Sequence, residues 1–311
     1  MGAVKEVFTF PSADGRTPIH AVKWTPEGGD YRAILQITHG MVEYIERYEG
    51  FAEYLTGEGY LVVGHDHVGH GESVVSKEDW GYVGEGPSGI WVRDMHQLRT
   101  VCQEEGKPYF MLGHSMGSYL LRQYLAKYGT GLTGAIIMGT GFMPKGTVKV
   151  AMGVAKFQAA FLGWRHRSRL LQQLSYSKPY KQYSLDGSDV NNSWLTKDPE
   201  IVKKYYADPK CTFLFTDNAY MGLFEAVLYS CSAEGIAAIP KQLPLFIVSG
   251  QDDPVGDLGV GVKKVYDLYQ EAGIEDVTWQ LYENDRHEIL NETDREKVRK
   301  DILSWMNVRI S

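Results

Sequence analysis

The pattern of apolar and polar positions changes character along the chain. Residues 4–10 and 18–24 alternate like two strands with one covered face, and Asp14-Gly15 supplies the turn between them. Over 33–38 the alternation gives way to a nearly continuous apolar run, as expected of a strand buried on both faces. Helical spacing follows, with Phe51, Tyr54 and Leu55 on one face and Gly57 and Gly59 closing the segment. The succession then repeats. Residues 60–63 read as a buried strand and 90–105 as a helix carrying Trp91, Met95, Leu98 and Cys102. Residues 108–112 read as a strand, followed by a helix to about Tyr128, and 135–138 as another strand. After a long interruption come a strand over 243–250, a helix with Val262, Val265, Tyr266 and Tyr269, a strand over 277–282 and a helix over 294–306. Apolar strands alternating with helices predict an α/β fold with a mostly parallel central sheet flanked by helices.

The interruption runs from Phe142 to about Ile239. It holds helix-like pieces, no convincing buried strand, and Pro144, Pro179, Pro199 and Pro209 as punctuation. The expected organisation is a core made of residues 1–141 and 240–311, with a helical cap inserted at 142–239. This insertion contains Phe142, Phe157, Phe161, Trp164, Trp194, Phe213, Phe215 and Phe224, too many aromatics for a merely solvated loop. Most of them must pack the insertion. A subset is expected to line an apolar groove, closed on the core side by Met41 and Met116.

Composition narrows the picture without deciding it. The chain has 311 residues, 43% hydrophobic and 23% charged, which suits a large globular core. A net charge of −7 argues against nucleic acid as a partner. No leader-like opening and no apolar run of membrane-spanning length are expected. Cys102, Cys211 and Cys231 lack CxxC spacing and read as reduced, buried thiols of a cytoplasmic protein.

Candidate chemistry centres on Gly113-His114-Ser115-Met116-Gly117, a G-x-S-x-G set between strand and helix. A serine hydroxyl needs a sharp turn to stand clear of the backbone, and the two glycines let strand and helix approach. Acyl transfer at Ser115 also needs a base, an orienting carboxylate and an oxyanion hole. The strand over 243–250 runs into Gln251-Asp252-Asp253-Pro254, and that over 277–282 into Asn284-Asp285-Arg286-His287. Ser115, Asp253 and His287 fall in the chain order of α/β-hydrolase triads, with Asp253 preferred over Asp252 by its spacing from Gly250. His39-Gly40-Met41 ends the third strand, so the backbone N–H groups of Met41 and Met116 are the expected oxyanion donors, with Gly40 allowing close approach. The His39 side chain reads as structural. The segment His65-Asp66-His67-Val68-Gly69-His70-Gly71 looks metal-like but lacks the Asp-His ending of dinuclear zinc hydrolases, so it reads as a turn and no metal is expected.

Taken together, HGMVEYIERYEGFAEYLTGEGY, DHVGHGES, GHSMGS, SGQDDPVG and RHEILNE resemble the monoglyceride lipase and lysophospholipase branch of the α/β-hydrolases, often classed as serine aminopeptidase-like. The resemblance implies the α/β-hydrolase fold, the triad Ser115, Asp253 and His287, no cofactor and a helical cap before the strand that carries the acid. It implies a small ester or lipid substrate, with a transient membrane-surface contact through the cap left open. The chain departs from the family pattern at Tyr44-Ile45 and at His67-Val68, the first near the expected mouth of the site. Gly40, Tyr44 and Phe142 are the expected substrate contacts. An aminopeptidase or amidase on the same triad is the competing activity; it needs an acidic clamp for the substrate amine, for which Asp186, Asp189 and Glu225 are available. Dehalogenase and epoxide hydrolase chemistry is excluded because position 115 is not a carboxylate.

Overall fold

The computed structural model describes residues 3–176 and 178–310. Eight strands form one sheet: β1 (Ala3–Pro11), β2 (Pro18–Pro26), β3 (Ala33–Thr38), β4 (Tyr60–His65), β5 (Tyr109–His114), β6 (Gly134–Met138), β7 (Leu245–Gly250) and β8 (Val277–Tyr282). Their spatial order is β1-β2-β4-β3-β5-β6-β7-β8. The β1–β2 hairpin is antiparallel and joins β4 in antiparallel register, whereas every pairing from β4 to β8 is parallel. Parallel strands need crossovers, and here helices supply them: α1 (Glu49–Gly57), α2 (Pro87–Cys102), α3 (Met116–Tyr128) and α9 (Val260–Glu271), with α10 (Arg295–Asn307) closing the chain. The resulting architecture is the mostly parallel, doubly covered sheet read from the sequence.

The continuous apolar strands are explained by two separate cores. Tyr109 and Met111 of β5 face one core, with Trp91 of α2 and Leu120 of α3. Phe110 and Leu112, the alternate residues, face the other with Phe51 of α1 and Ile302 of α10. A two-residue period on a strand buried on both sides leaves no polar position, which is why these strands read as unbroken runs.

The chain between β6 and β7 forms α4 (Lys145–Leu162), α5 (Arg169–Ser175), α6 (Pro199–Ala207), α7 (Asp217–Ser230) and α8 (Ala233–Ala237). Short polar side chains start several of them. Ser168 accepts from Leu171 N, Asp198 from Glu200 N and Ile201 N just ahead of Pro199, and Thr216 from Ala219 N. The segment is not uniform. From α7 onward it packs on the core, α7 against α2 and α3 and α8 against α3. Glu225 of α7 accepts a hydrogen bond from Ser88 of α2. Residues 217–239 therefore pack on the core and, through α7, also on α4 of the inserted segment. Among the described residues, no helix is long and apolar enough to cross a membrane.

Candidate active site

Functional candidates gather at the carboxyl ends of the parallel strands, where open α/β sheets place their sites. At the end of β5 the chain turns sharply into α3, and Ser115 takes φ 54 and ψ −121 at that turn. A non-glycine residue is held there only when its surroundings over-determine it. Ser115 N donates to Met138 O at 3.0 Å, and Ser118 N and Oγ donate to Ser115 O at 2.8 and 2.6 Å. Both glycines are required by contact. A Cβ on Gly113 would lie 2.4 Å from Gly117 O, and one on Gly117 would lie 2.2 Å from Thr38 O.

Asp253 follows β7 and is fully buried. Its Oδ2 accepts from His287 Nδ1 at 2.9 Å and from Ser249 Oγ at 3.1 Å, while Oδ1 accepts from Val255 N at 2.8 Å. Nδ1 thus carries the proton and Nε2 is left as the basic nitrogen of His287. Asp252 takes a different part: its N–H donates to Asp285 O and its carbonyl accepts from Tyr183 Oη. Of the two neighbours, Asp253 is the one brought to the histidine.

The loop after β3 lies directly against Ser115. A Cβ on Gly40 would stand 2.9 Å from Ser115 Cβ and 2.6 Å from Glu43 Oε1. Gly40 N donates to that carboxylate, and Val42, two residues on, adopts φ 56, a second strained position. Met116 begins α3, so its N–H belongs to the unpaired first turn of a helix. Met41, Ser115, Met116 and His287 all line one cavity of about 390 Å³. Phe142, Trp194 and Phe224 from the insertion line it too.

A family model for serine aminopeptidase, S33, matches residues 29–294. The chain belongs to this family. It is an α/β-hydrolase and a serine hydrolase, similar along its whole length to members of the monoglyceride lipase branch. It shares 26% identity with a monoacylglycerol lipase of Mycolicibacterium smegmatis over 98% of each chain. A monoglyceride lipase of Mus musculus is also 26% identical, over 93% of this chain and 86% of the mouse protein. Among solved structures, a thermostable carboxyl esterase from Bacillus coagulans in complex with glycerol superposes with TM-score 0.88 at 29% identity, over 99% of both chains.

Within this S33 hydrolase the expected substrate contacts separate. Phe142 lines the cavity and Gly40 abuts Ser115, but Tyr44 is turned away from the cavity lining. The Tyr44 hydroxyl donates to Asp208 at 2.8 Å, and Lys210 stacks on its ring at 5.0 Å, so Tyr44 ties the core to the insertion. The aromatic set divides likewise. Phe213 and Phe215 line a neighbouring cavity of about 310 Å³, whereas Phe157, Phe161 and Trp164 are exposed. Of the three acidic clamp candidates, Asp186 borders that second cavity, Asp189 caps a turn by accepting from Asn191 N, and Glu225 binds Ser88. None of the three lines the cavity of Ser115.

The histidine-rich turn is structural in its contacts. His39 Nδ1–H donates to Gly40 O at 2.8 Å and its Nε2 accepts from His67 N at 2.9 Å. The rings of His39, His65, His67 and His70 pack on one another, with His39 and His67 centroids 4.3 Å apart. Burial pushes His39 and His65 down to about 3 and His70 to about 4, and holds His67 well below its ordinary value.

Two arrangements were not foreseen. Trp194 stacks on His287 with centroids 5.0 Å apart and 28° between planes, while His287 N and Glu288 N donate to Trp194 O and Leu195 O. Glu43, Arg47, His114 and Glu288 form a buried charge cluster beside the triad candidates. The fifth residue of His39-Gly40-Met41-Val42-Glu43 was the available signal: an acid fixed three positions after a loop glycine, next to an arginine four further on.

Proposed function

We propose that this serine hydrolase cleaves the carboxylic ester of a lipid-like monoacyl substrate, a monoacylglycerol or lysophospholipid, through an acyl-enzyme on Ser115. The observation that carries this reading is the Asp253–His287 hydrogen bond beside the strained Ser115, on the wall of one largely apolar cavity. Asp253 holds the His287 tautomer, and Nε2 takes the Ser115 hydroxyl proton as Oγ attacks the ester carbonyl. The N–H groups of Met41 and Met116 receive the oxyanion. Collapse expels the alcohol, which leaves with the proton from Nε2. Water, activated by the same nitrogen, then releases the fatty acid and restores the serine.

The cavity supports the lipid-like part of the reading. Phe142, Leu174, Leu223 and Phe224 offer an apolar wall for an acyl chain, and Glu43, Arg47 and Glu288 offer a polar end for the alcohol. Its volume of about 390 Å³ is that of a small-molecule site. The mycobacterial and mouse relatives, named as monoglyceride lipases, favour the same substrate class.

In this reading residues 142–239 act as a cap whose first helices also meet the lipid surface. Val150, Phe157, Phe161, Leu162, Trp164 and Leu174 are exposed, and α4 carries Lys145, Lys149 and Lys156 without a single carboxylate. Leu174 belongs both to this patch and to the cavity lining, which links the landing surface to the site. The three free cysteines suit a reducing cytoplasm.

The test is a nitrophenyl ester series from acetate to palmitate, combined with fluorophosphonate labelling. Burying one methylene is worth up to about 0.8 kcal/mol, so kcat/KM should rise a few-fold per carbon and then level off. Label should map to the peptide of Ser115. A monotonic fall from acetate would overturn the lipid-like substrate, and label elsewhere would overturn the nucleophile.

A further inference from the structure

His114, between the β5 core and Ser115, is nearly inaccessible to solvent and has hydrogen-bond partners on both ring nitrogens. Nδ1 lies 3.1 Å from Glu43 Oε1 and 2.9 Å from Tyr48 Oη. Nε2 lies 3.2 Å from the carbonyl oxygen of His287. A backbone carbonyl only accepts, so Nε2 carries a proton. Glu43 accepts from Gly40 N and from Tyr48 Oη on Oε1, and is salt-bridged to Arg47 through Oε2 at 2.7 Å, so it too is an acceptor, an ionised carboxylate. With the single Tyr48 hydroxyl proton directed to Glu43 Oε1, Nδ1 faces only acceptor oxygens, and a second ring proton satisfies both.

Charge balance leads to the same assignment independently. Arg47 makes a two-pronged contact with Glu288 at 2.8 and 2.7 Å besides its bond to Glu43. Glu43, Glu288 and Arg47 by themselves would leave one net negative charge in a space where their side chains are at most 11% exposed. Uncompensated buried charge is strongly destabilising. A cationic His114 makes the cluster neutral.

We propose that His114 is a positioning residue: an imidazolium at neutral pH that ties the Gly40–Glu43 loop, through Glu43, to the main chain of the base, His287. The inference rests on the reading of Ser115 and His287 given above. One charged ring thereby couples the two halves of the site that must converge on the serine, the oxyanion loop after β3 and the base loop after β8. The His114 and His287 rings also lie against each other, tilted by 39° with centroids 4.6 Å apart, so a change in the His114 side chain is felt at the base directly. Burial opposes the charge, but the hydrogen bond and charge of Glu43 outweigh it and raise His114 above its ordinary value. The same partner, helped by Arg47, holds Glu43 far below the carboxylate range although burial acts the other way.

The experiment uses the intact protein labelled with ¹⁵N-histidine. The His114 ring signals, assigned by their loss in His114→Gln, should both stay at protonated values from pH 6 to pH 8. In Glu43→Gln they should move to neutral-imidazole values at pH 8, which also serves if His114→Gln does not fold. A glutamine at 114 cannot donate to both acceptors, so kcat should fall about 10²-fold, as for a displaced catalytic group, with KM changed less than about threefold. Neutral His114 signals in the wild type at pH 7 would overturn the proposal, as would His114→Gln or Glu43→Gln turning over like wild type. Fluorophosphonate labelling of the wild type separates the two claims: absence of label on Ser115 refutes the proposed nucleophile, while the ¹⁵N signals still report the charge on His114.

Discussion

Two groups of buried histidines occupy neighbouring strand ends and differ in what their ring nitrogens meet. His39, His65, His67 and His70 contact one another's rings, main-chain groups and apolar side chains, and burial keeps them neutral. Neither ring nitrogen of His65 meets a hydrogen-bond partner among the described residues. His114 and His287 are just as buried, yet each has a carboxylate at Nδ1, Glu43 for one and Asp253 for the other. The difference teaches that burial alone does not set the state of a histidine. An acceptor carboxylate placed at hydrogen-bond distance decides whether the ring is packing material or a carrier of protons.

The largest expected effect follows from removing that carboxylate from His287, the proposed base. Asp253→Asn should lower kcat by about 10⁴, the loss seen when a triad acid no longer fixes the tautomer. Asp252→Asn, whose backbone rather than side chain makes the recorded contacts, should stay within about tenfold. Steady-state kinetics on one soluble ester decides it, and a reversed order would transfer the role to Asp252.

Next in size is an acid instability caused by the neutral group. His39, His65 and His70 bind protons only below about 3–4 when folded, and burial holds His67 well below its ordinary value, so below the unfolded value near 6.5 the unfolded state binds more protons. Their contribution is complete above 6.5 and is lost as pH falls toward the folded values, by up to about 1.4 kcal/mol per pH unit for each ring. His114 has the opposite sign, its contribution fading as pH rises through its raised value. Urea melts at pH 8, 7, 6 and 5 should show stability falling steeply only below 6.5. Burial pushes Asp66 and Asp94 up to about 7, and they act with the opposite sign over the same range, so the histidine contribution is read from the difference between wild type and a histidine variant.

A smaller effect sharpens the contrast. His65→Phe keeps the ring and deletes two unpartnered nitrogens, so it should lower the acid slope by up to about 1.4 kcal/mol per pH unit while changing stability at pH 8 by less than about 1.5 kcal/mol. Smallest is Tyr48→Phe, which removes one donor to Glu43 and should lower stability by about 1 kcal/mol in the same melts. A loss several times larger would show that Tyr48 carries more of the charge cluster than one hydrogen bond.

Much of this was legible in the sequence, for identifiable reasons. Strands buried on both faces leave an unbroken apolar run, so β3 to β7 could be placed within a few residues. The elbow could be read because Gly113 and Gly117 meet backbone atoms that exclude a Cβ, a constraint that survives as sequence. Asp253 and His287 could be read from their positions after strands. Tyr44 could not be placed, because its direction depends on Asp208 and Lys210, more than 160 positions away. The charge cluster was hidden for a related reason, since Glu43, His114 and Glu288 are each ordinary until three separate strand ends bring them together.

The contact between Trp194 and His287 bears on how this enzyme can be re-engineered. If the insertion were exchanged with that of a relative to change chain-length preference, 142–239 would be the obvious block. That block would remove the indole stacked on the base and the two carbonyls, of Trp194 and Leu195, that hold the backbone of His287 and Glu288. A graft restricted to residues 142–183 leaves this support in place while still replacing Phe142, Leu174 and Tyr176 of the cavity wall. Chimeras cut at the later junction are expected to need Trp194–Thr196 and residues 285–292 transplanted together, as one inseparable cassette.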